Sequence, residues 1–111
     1  MPDKRRKVRI RRRVRTMYGS EIPSKVGFTS DISESGICIK SFMVYNPGDI
    51  LLIEIETSDG QFIRFEGRVH WSRRVPPNLL RKVKHAGMGV KIVNFINGQD
   101  LYLNMCRERQ K

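Results

Sequence analysis

Hydrophobic and polar positions alternate along much of this chain with a period of two, the spacing of strands that bury one face. Val8, Ile10, Val14 and Thr16 interleave with Arg9, Arg11, Arg13 and Arg15, which predicts a first strand running from Val8 to near Tyr18-Gly19. A helix competes for so many arginines, because arginine is a good helix former; the β-branched residues and the following Gly19 and Pro23 favour the strand. After a loop over residues 20–25, a second strand over 26–30 leads into Asp31-Ile32-Ser33-Glu34-Ser35-Gly36. Two short polar side chains two residues apart, followed by glycine, read as a tight turn. Asp31 and Ser33 fall on the same side of an extended backbone, so their oxygens can converge on one neighbour or one ligand. The plainer alternative is a turn whose Asp and Ser satisfy only backbone N–H groups.

A third strand over 37–41 sets Ile37 and Ile39 against Cys38 and Lys40, and Asn46-Pro47-Gly48-Asp49 is a strong turn signal. The fourth strand, 50–57, turns Leu51, Ile53 and Ile55 to the core and Glu54 and Glu56 to water. Ser58-Asp59-Gly60-Gln61 predicts a hairpin with a type I′ turn. The returning strand, 62–72, puts Ile63, Phe65, Gly67, Val69 and Trp71 on the core face, and its length and internal glycine suggest a strand bent around the edge of a closed sheet. Residues 73–85, with Pro76-Pro77, read as an exposed basic loop, and 86–93 as the last strand, with Met88, Val90 and Ile92 against Lys91. Asn97 followed by Asp100 predicts the cap of a C-terminal helix over about 98–109, with Leu101, Met105 and either Tyr102 or Cys106 as its apolar stripe. The fold expected is all-β with one helix: a six-stranded antiparallel β-barrel, which hides its strand edges by closing, followed by a C-terminal α-helix.

Composition adds a lopsided charge to this picture. The chain has 111 residues, enough for one domain with one core, read as a basic N-terminal arm over 1–7 and a barrel domain over 8–111. Of the formal net charge of +11, residues 1–15 supply +8, from nine Lys and Arg set against Asp3. A localised cationic arm predicts an anionic partner: nucleic acid, acidic lipid head groups, an acidic protein face or a small phosphate-rich ligand. No apolar run approaches the roughly 20 residues of a membrane span, and no apolar segment follows the basic N-terminus as in a signal peptide, so a cytoplasmic location is expected. Cys38 and Cys106 lack metal-ligand spacing, and His70 and His85 add nothing to it; reduced, partly buried thiols and no metal are expected. Ser33 and Ser35 have no histidine placed to activate them and no G-x-S-x-G context. There is no Walker-type loop and no G-x-G-x-x-G, and Gly87-Met88-Gly89 reads as a strand bend rather than a phosphate cradle. The expectation is a binding module, not an enzyme.

Two short motifs sharpen that expectation. Arg5-Arg6-Lys7-Val8-Arg9 fits R-x-x-x-R, and Asp31 to Gly36 fits D-x-S-x-x-G, 22 positions on from Arg9 to Asp31. In this order and spacing the sequence resembles the PilZ domain family, bacterial receptor modules for cyclic di-GMP. Gly67-Arg68-Val69-His70-Trp71 looks like the family's G-x-V-x-W, and Gly87 to Ile92 looks like its final G-V-x-F strand with Ile92 in the aromatic position. Arg9/Arg13 and Arg11/Arg15 also satisfy R-x-x-x-R, and Arg5/Arg9 is preferred because it lies ahead of the first strand, where the family keeps its ligand-clasping loop.

The resemblance implies a six-stranded barrel with a C-terminal helix, no catalysis, and cyclic di-GMP as ligand rather than a cofactor. Arg5 and Arg9 would form the primary clasp, Arg6 would add a phosphate contact, and Asp31, Ser33 and Gly36 would hold the ligand from the barrel surface. The chemistry suits these roles. Guanidinium forks grip a guanine edge or a phosphate with paired bonds and stack on purines; a carboxylate accepts from guanine N1–H and N2–H; a glycine permits close approach. The function implied is a cyclic di-GMP receptor that relays the signal to an effector protein by ordering its N-terminal arm. The alternative is a module for nucleic acid or a protein partner that does not bind the dinucleotide.

Overall fold

The alternating segments pair into one antiparallel sheet that closes on itself. The structure, a computed structural model, describes residues 8–75 and 86–107. Its elements are β1 (Ile10–Arg11), β2 (Arg15–Gly19), β3 (Lys25–Ser33), β4 (Gly36–Lys40), β5 (Ile50–Glu56), β6 (Phe62–Arg73), β7 (Gly87–Asn97) and the helix α1 (Gln99–Arg107). Around the barrel the order is β2, β5, β6, β7, β4, β3, and β3 pairs with β2 again to complete the ring. The short β1 lies along the far half of β3, so six strand positions close the barrel as the alternation predicts.

The interior follows the period of two. Leu51, Ile53 and Ile55 of β5, Ile63, Phe65 and Val69 of β6, and Ile37 and Ile39 of β4 are all buried, with Met88 and Val90 of β7 against them. Helix α1 covers one end, burying Tyr102 and Met105, three residues apart on one face. Tyr102 completes an aromatic cluster with Phe65 and Phe95, at centroid distances of 5.9 Å and 5.6 Å.

Several local features depart from the pattern. The first strand is interrupted at Arg12–Val14: Arg11 pairs with Asp31 but Arg15 with Phe28, so one extra residue bulges from the N-terminal strand. Thr29 bridges the gap, its hydroxyl accepting from the Val14 N–H at 2.8 Å and donating to the Arg12 carbonyl. The hairpin at 57–61 forms, but its turn is not type I′, because among the described residues only glycines have positive φ, Gly60 at 84° and not Asp59. The Gly60 N–H reaches the Thr57 carbonyl at 3.0 Å and the Thr57 N–H the Gln61 carbonyl at 2.8 Å, the arrangement of a type I turn ending in a glycine bulge. Helix α1 starts one residue later than expected. The Gly98 carbonyl accepts the first helical bond from Tyr102, while the Asn97 side chain donates to the Phe62 carbonyl at 3.0 Å.

A further departure is Trp71. Val69 pairs with Val90 but Trp71 with Gly89, a bulge that turns Trp71 from the expected core face to the outside, where it is 45% exposed. Strand β7 also runs on to Asn97, pairing Phe95 with Phe65, beyond the expected end at Val93. Asp31, Ile32 and Ser33 belong to β3, leaving Glu34-Ser35 as the connection to β4. Most of the basic loop expected at 73–85, and the last residues of the expected helix, lie outside the described residues.

Thr29 is therefore expected to be worth more than its size suggests. Thr29→Val keeps the shape but strands a backbone donor and an acceptor, and should lower the unfolding free energy by about 1–3 kcal/mol. Thr29→Ser, which keeps the hydroxyl, should lose less. Urea denaturation of both variants checks this, and equal losses would contradict it.

Candidate ligand-binding site

The end of β3 presents Asp31 and Ser33 on one side of the strand, with the fully buried Ile32 between them pointing to the core. The chain entering β1 lies beside them and delivers Arg9. Its Nε donates to Asp31 Oδ1 at 2.6 Å and its Nη1 to Ser33 Oγ at 3.3 Å. One guanidinium thus spans the two polar residues, as their spacing allows. The ion pair is open to water, with Arg9 and Asp31 side chains 46% and 30% exposed, so it contributes only about 0.2–1 kcal/mol and serves placement more than stability.

The two partners of Arg9 differ. Ser33 is buried, and its Oγ accepts from the Ser35 N–H and donates to the Gly36 carbonyl, both at 3.3 Å. It closes the turn in the manner of the plainer reading. Asp31 makes no such local bond to backbone; its second oxygen lies 3.5 Å from the Ser30 hydroxyl and leaves room for another donor. Gly36 also has a structural reason to be glycine, since a Cβ there would sit 2.5 Å from the Val90 carbonyl oxygen of the neighbouring strand.

Beside this cluster, a groove crosses the outer face of β3, β4, β6 and β7. One part, of about 200 Å³, runs past Arg9, Asp31, Gly36, His70 and Lys91; an adjoining part, of about 490 Å³, lies among Arg11, Lys40 and Arg73. Asp31, Cys38 and Trp71 line both parts. The five-membered ring of Trp71 rests over Gly89, where a Cβ would come within 2.1 Å of the indole nitrogen. The combined groove has the size of a small-molecule site, with an aromatic ledge and cations at both ends.

Two of the competing arginines go elsewhere. Arg13 stacks over the Phe28 ring at 4.0 Å, and Arg15 lines a separate hollow with Glu54, Glu56 and Phe62. Neither Arg9/Arg13 nor Arg11/Arg15 therefore places both members at one cluster. Arg5 and Arg6 lie outside the described residues. The pattern reading did not find Trp71, Arg11 or Lys40 as groove residues. A glycine opposite a tryptophan on the neighbouring strand was the available signal, but it depended on knowing the register.

The cluster is also held from below. The buried Tyr102 hydroxyl donates to the Ser33 carbonyl at 2.5 Å and reaches the Gly36 carbonyl at 3.3 Å. Burial above all pushes its ionisation far up, so the phenol stays protonated and acts as a donor. Burial likewise raises the Cys106 thiol one turn along the helix. Among the described residues no group of three or more His, Cys, Asp or Glu is placed to hold a metal ion, and no helix is long and apolar enough to cross a membrane.

Comparison with known proteins bears on the fold and the family. The fold is similar to that of the Bacillus subtilis inhibitor of motility, MotI/DgrA, with a TM-score of 0.74 and 19% identity; the match covers 95% of this chain and 50% of the other, so this chain spans about half the length of that protein. No curated protein matches the sequence. A family model described as PilZ domain matches residues 3–104, a span that includes Arg9 and the Asp31–Gly36 segment it meets. The chain belongs to the PilZ domain family.

Proposed function

We propose that this protein is a receptor for cyclic di-GMP that binds the dinucleotide in the groove beside Arg9 and signals to an effector protein. The observation that carries this reading is the placement of Arg9 across Asp31 and Ser33, at the mouth of a groove with a tryptophan ledge. Each element has a matching chemistry. Arg9 uses Nε and one terminal N–H on its described partners, so the rest of the guanidinium is available to a phosphate or a guanine O6/N7 edge. The second oxygen of Asp31 can accept from guanine N1–H and N2–H. Trp71 offers a face on which a purine stacks, and Arg11, Lys40 and Arg73 offset phosphate charge along the groove.

In this proposal Arg5 and Arg6 add guanidinium contacts to the bound ligand. Closure of residues 1–7 over it then creates the surface that the effector reads, in the cytoplasm where such a messenger acts. On this reading the module binds rather than catalyses, with Ser33 engaged in its turn.

One observation favours a second reading. The basic lining of the larger hollow continues the charge of the N-terminal strand, which suits a longer polyanion such as nucleic acid. Fluorescence anisotropy with labelled single-stranded and duplex oligonucleotides at physiological salt separates the two. Binding no tighter than the non-specific range of roughly 10⁻⁴–10⁻⁶ M leaves that reading without support.

Titration calorimetry with cyclic di-GMP is expected to give saturable binding. Arg9→Ala should weaken it roughly 10- to 100-fold, the loss of one charged hydrogen-bonding group. Absence of heat with the wild type, or equal affinity in both proteins, would overturn the proposal.

Trp71 is the chain's single tryptophan, so its emission reports on the groove directly. Ligand should quench or shift that emission, and Trp71→Ala should bind about tenfold more weakly, as expected for losing one base-stacking contact. Unchanged emission at saturating ligand would place the ligand elsewhere.

A further inference from the structure

Ser33 is addressed from two sides. Its hydroxyl meets Arg9 on the groove side, and its carbonyl meets the Tyr102 hydroxyl on the interior side. The second contact joins residues 69 positions apart in the chain and is the point where helix α1 touches the ligand-binding turn through a polar bond. The same hydroxyl reaches the Gly36 carbonyl, which also accepts from Ser33 Oγ. Both residues that bracket the Glu34-Ser35 connection are thus held by one phenol.

The surroundings make that hydroxyl conspicuous. Tyr102 is fully buried and packs on Phe65 and Phe95. In such a cluster a phenylalanine would fill the same space, and a hydroxyl carries a desolvation cost unless it finds acceptors. The acceptors it finds are the two carbonyls of the turn. The ring cannot swing away from them without disturbing its aromatic neighbours, and its backbone is fixed in the first turn of α1 by the bond from its N–H to the Gly98 carbonyl at 2.9 Å.

We infer that Tyr102 is a positioning residue for the ligand site, coupling the seating of helix α1 to the geometry of the Ser33–Gly36 turn and, through Ser33, to Arg9. The inference rests on the cyclic di-GMP reading above for its ligand and on the geometry alone for its mechanism. Coupling of this kind is reciprocal: if a well-seated helix favours binding, bound ligand tightens the helix by the same factor. The helix becomes a second output of ligand binding, on the opposite side of the turn from Arg9.

Tyr102→Phe tests this, because it removes the hydroxyl and keeps the ring. The variant should fold cooperatively and bind cyclic di-GMP about tenfold more weakly at unchanged stoichiometry. Ligand should slow amide exchange in α1 of the wild type and do so less in the variant. Met105→Ala tests the seating of the helix by itself: it loosens α1 packing from a buried position without touching the turn, and should also weaken binding. A Tyr102→Phe protein that melts lower but binds with wild-type affinity would overturn the inference, and so would a Met105→Ala protein whose α1 amides exchange faster while its affinity stays at the wild-type value. If the wild type itself binds no cyclic di-GMP, the functional reading fails separately. The positioning role is then decided without ligand, by amide exchange at Ser35: several-fold faster in Tyr102→Phe supports it, and an unchanged rate overturns it.

Discussion

Closure of the barrel depends on β3, the strand at which the sheet meets itself. One edge pairs with β2 and then β1, the other with β4. An open sheet of this size would leave a row of unpaired backbone groups at each end; pairing β3 on both sides removes them. The cost of that arrangement is geometric, because a single strand must serve two partners whose registers do not agree. The bulge at Arg12–Val14 and the shift between Thr29 and Asp31 absorb the mismatch, and the Thr29 hydroxyl supplies the bonds that the bulge interrupts.

Placement of the site follows from the same constraint. Beyond the bulge, β1 runs beside the end of β3, so Arg9 arrives opposite Ser33 and Asp31 rather than one position away. A one-residue change in this register would exchange faces and send Arg9 from the groove toward the barrel interior. The groove floor depends on a second bulge, which turns Trp71 outward onto Gly89. Two inserted residues in the ladder therefore build both walls of the site, consistent with bulges re-aiming side chains at functional positions.

This explains what could be read from the sequence and what could not. Leu51, Ile53 and Ile55, or Ile37 and Ile39, alternate without interruption, and their inward faces were legible from period alone. Arg9, Asp31 and Ser33 were legible as a motif because they sit at fixed offsets within short segments. Trp71 was misplaced because a bulge leaves no mark on composition; it only shifts every later residue to the other face. Asn97 resembled a helix cap, but its amide is claimed by the Phe62 carbonyl across the sheet. The role of Tyr102 was hidden for the same reason: a helical stripe ranks Tyr102 and Cys106 alike, and only the contact with Ser33 separates them.

The energetics of Arg9, Asp31 and Ser33 bear on how the site would accept a ligand. The Arg9–Asp31 pair is half-exposed and weak, so releasing or sharing it opposes binding by about 1 kcal/mol at most. The Ser33 hydroxyl is different: it is buried and satisfies the Ser35 N–H, and withdrawing it strands a donor at greater cost. On the proposed reading, a ligand therefore recruits Arg9 and Asp31 while Ser33 stays in its turn. Ser33 then acts less as a ligand contact than as the fixed point from which Arg9 is aimed on one side and Tyr102 is held on the other. The Asp-x-Ser spacing is useful because it puts a labile partner and a committed one under the same guanidinium.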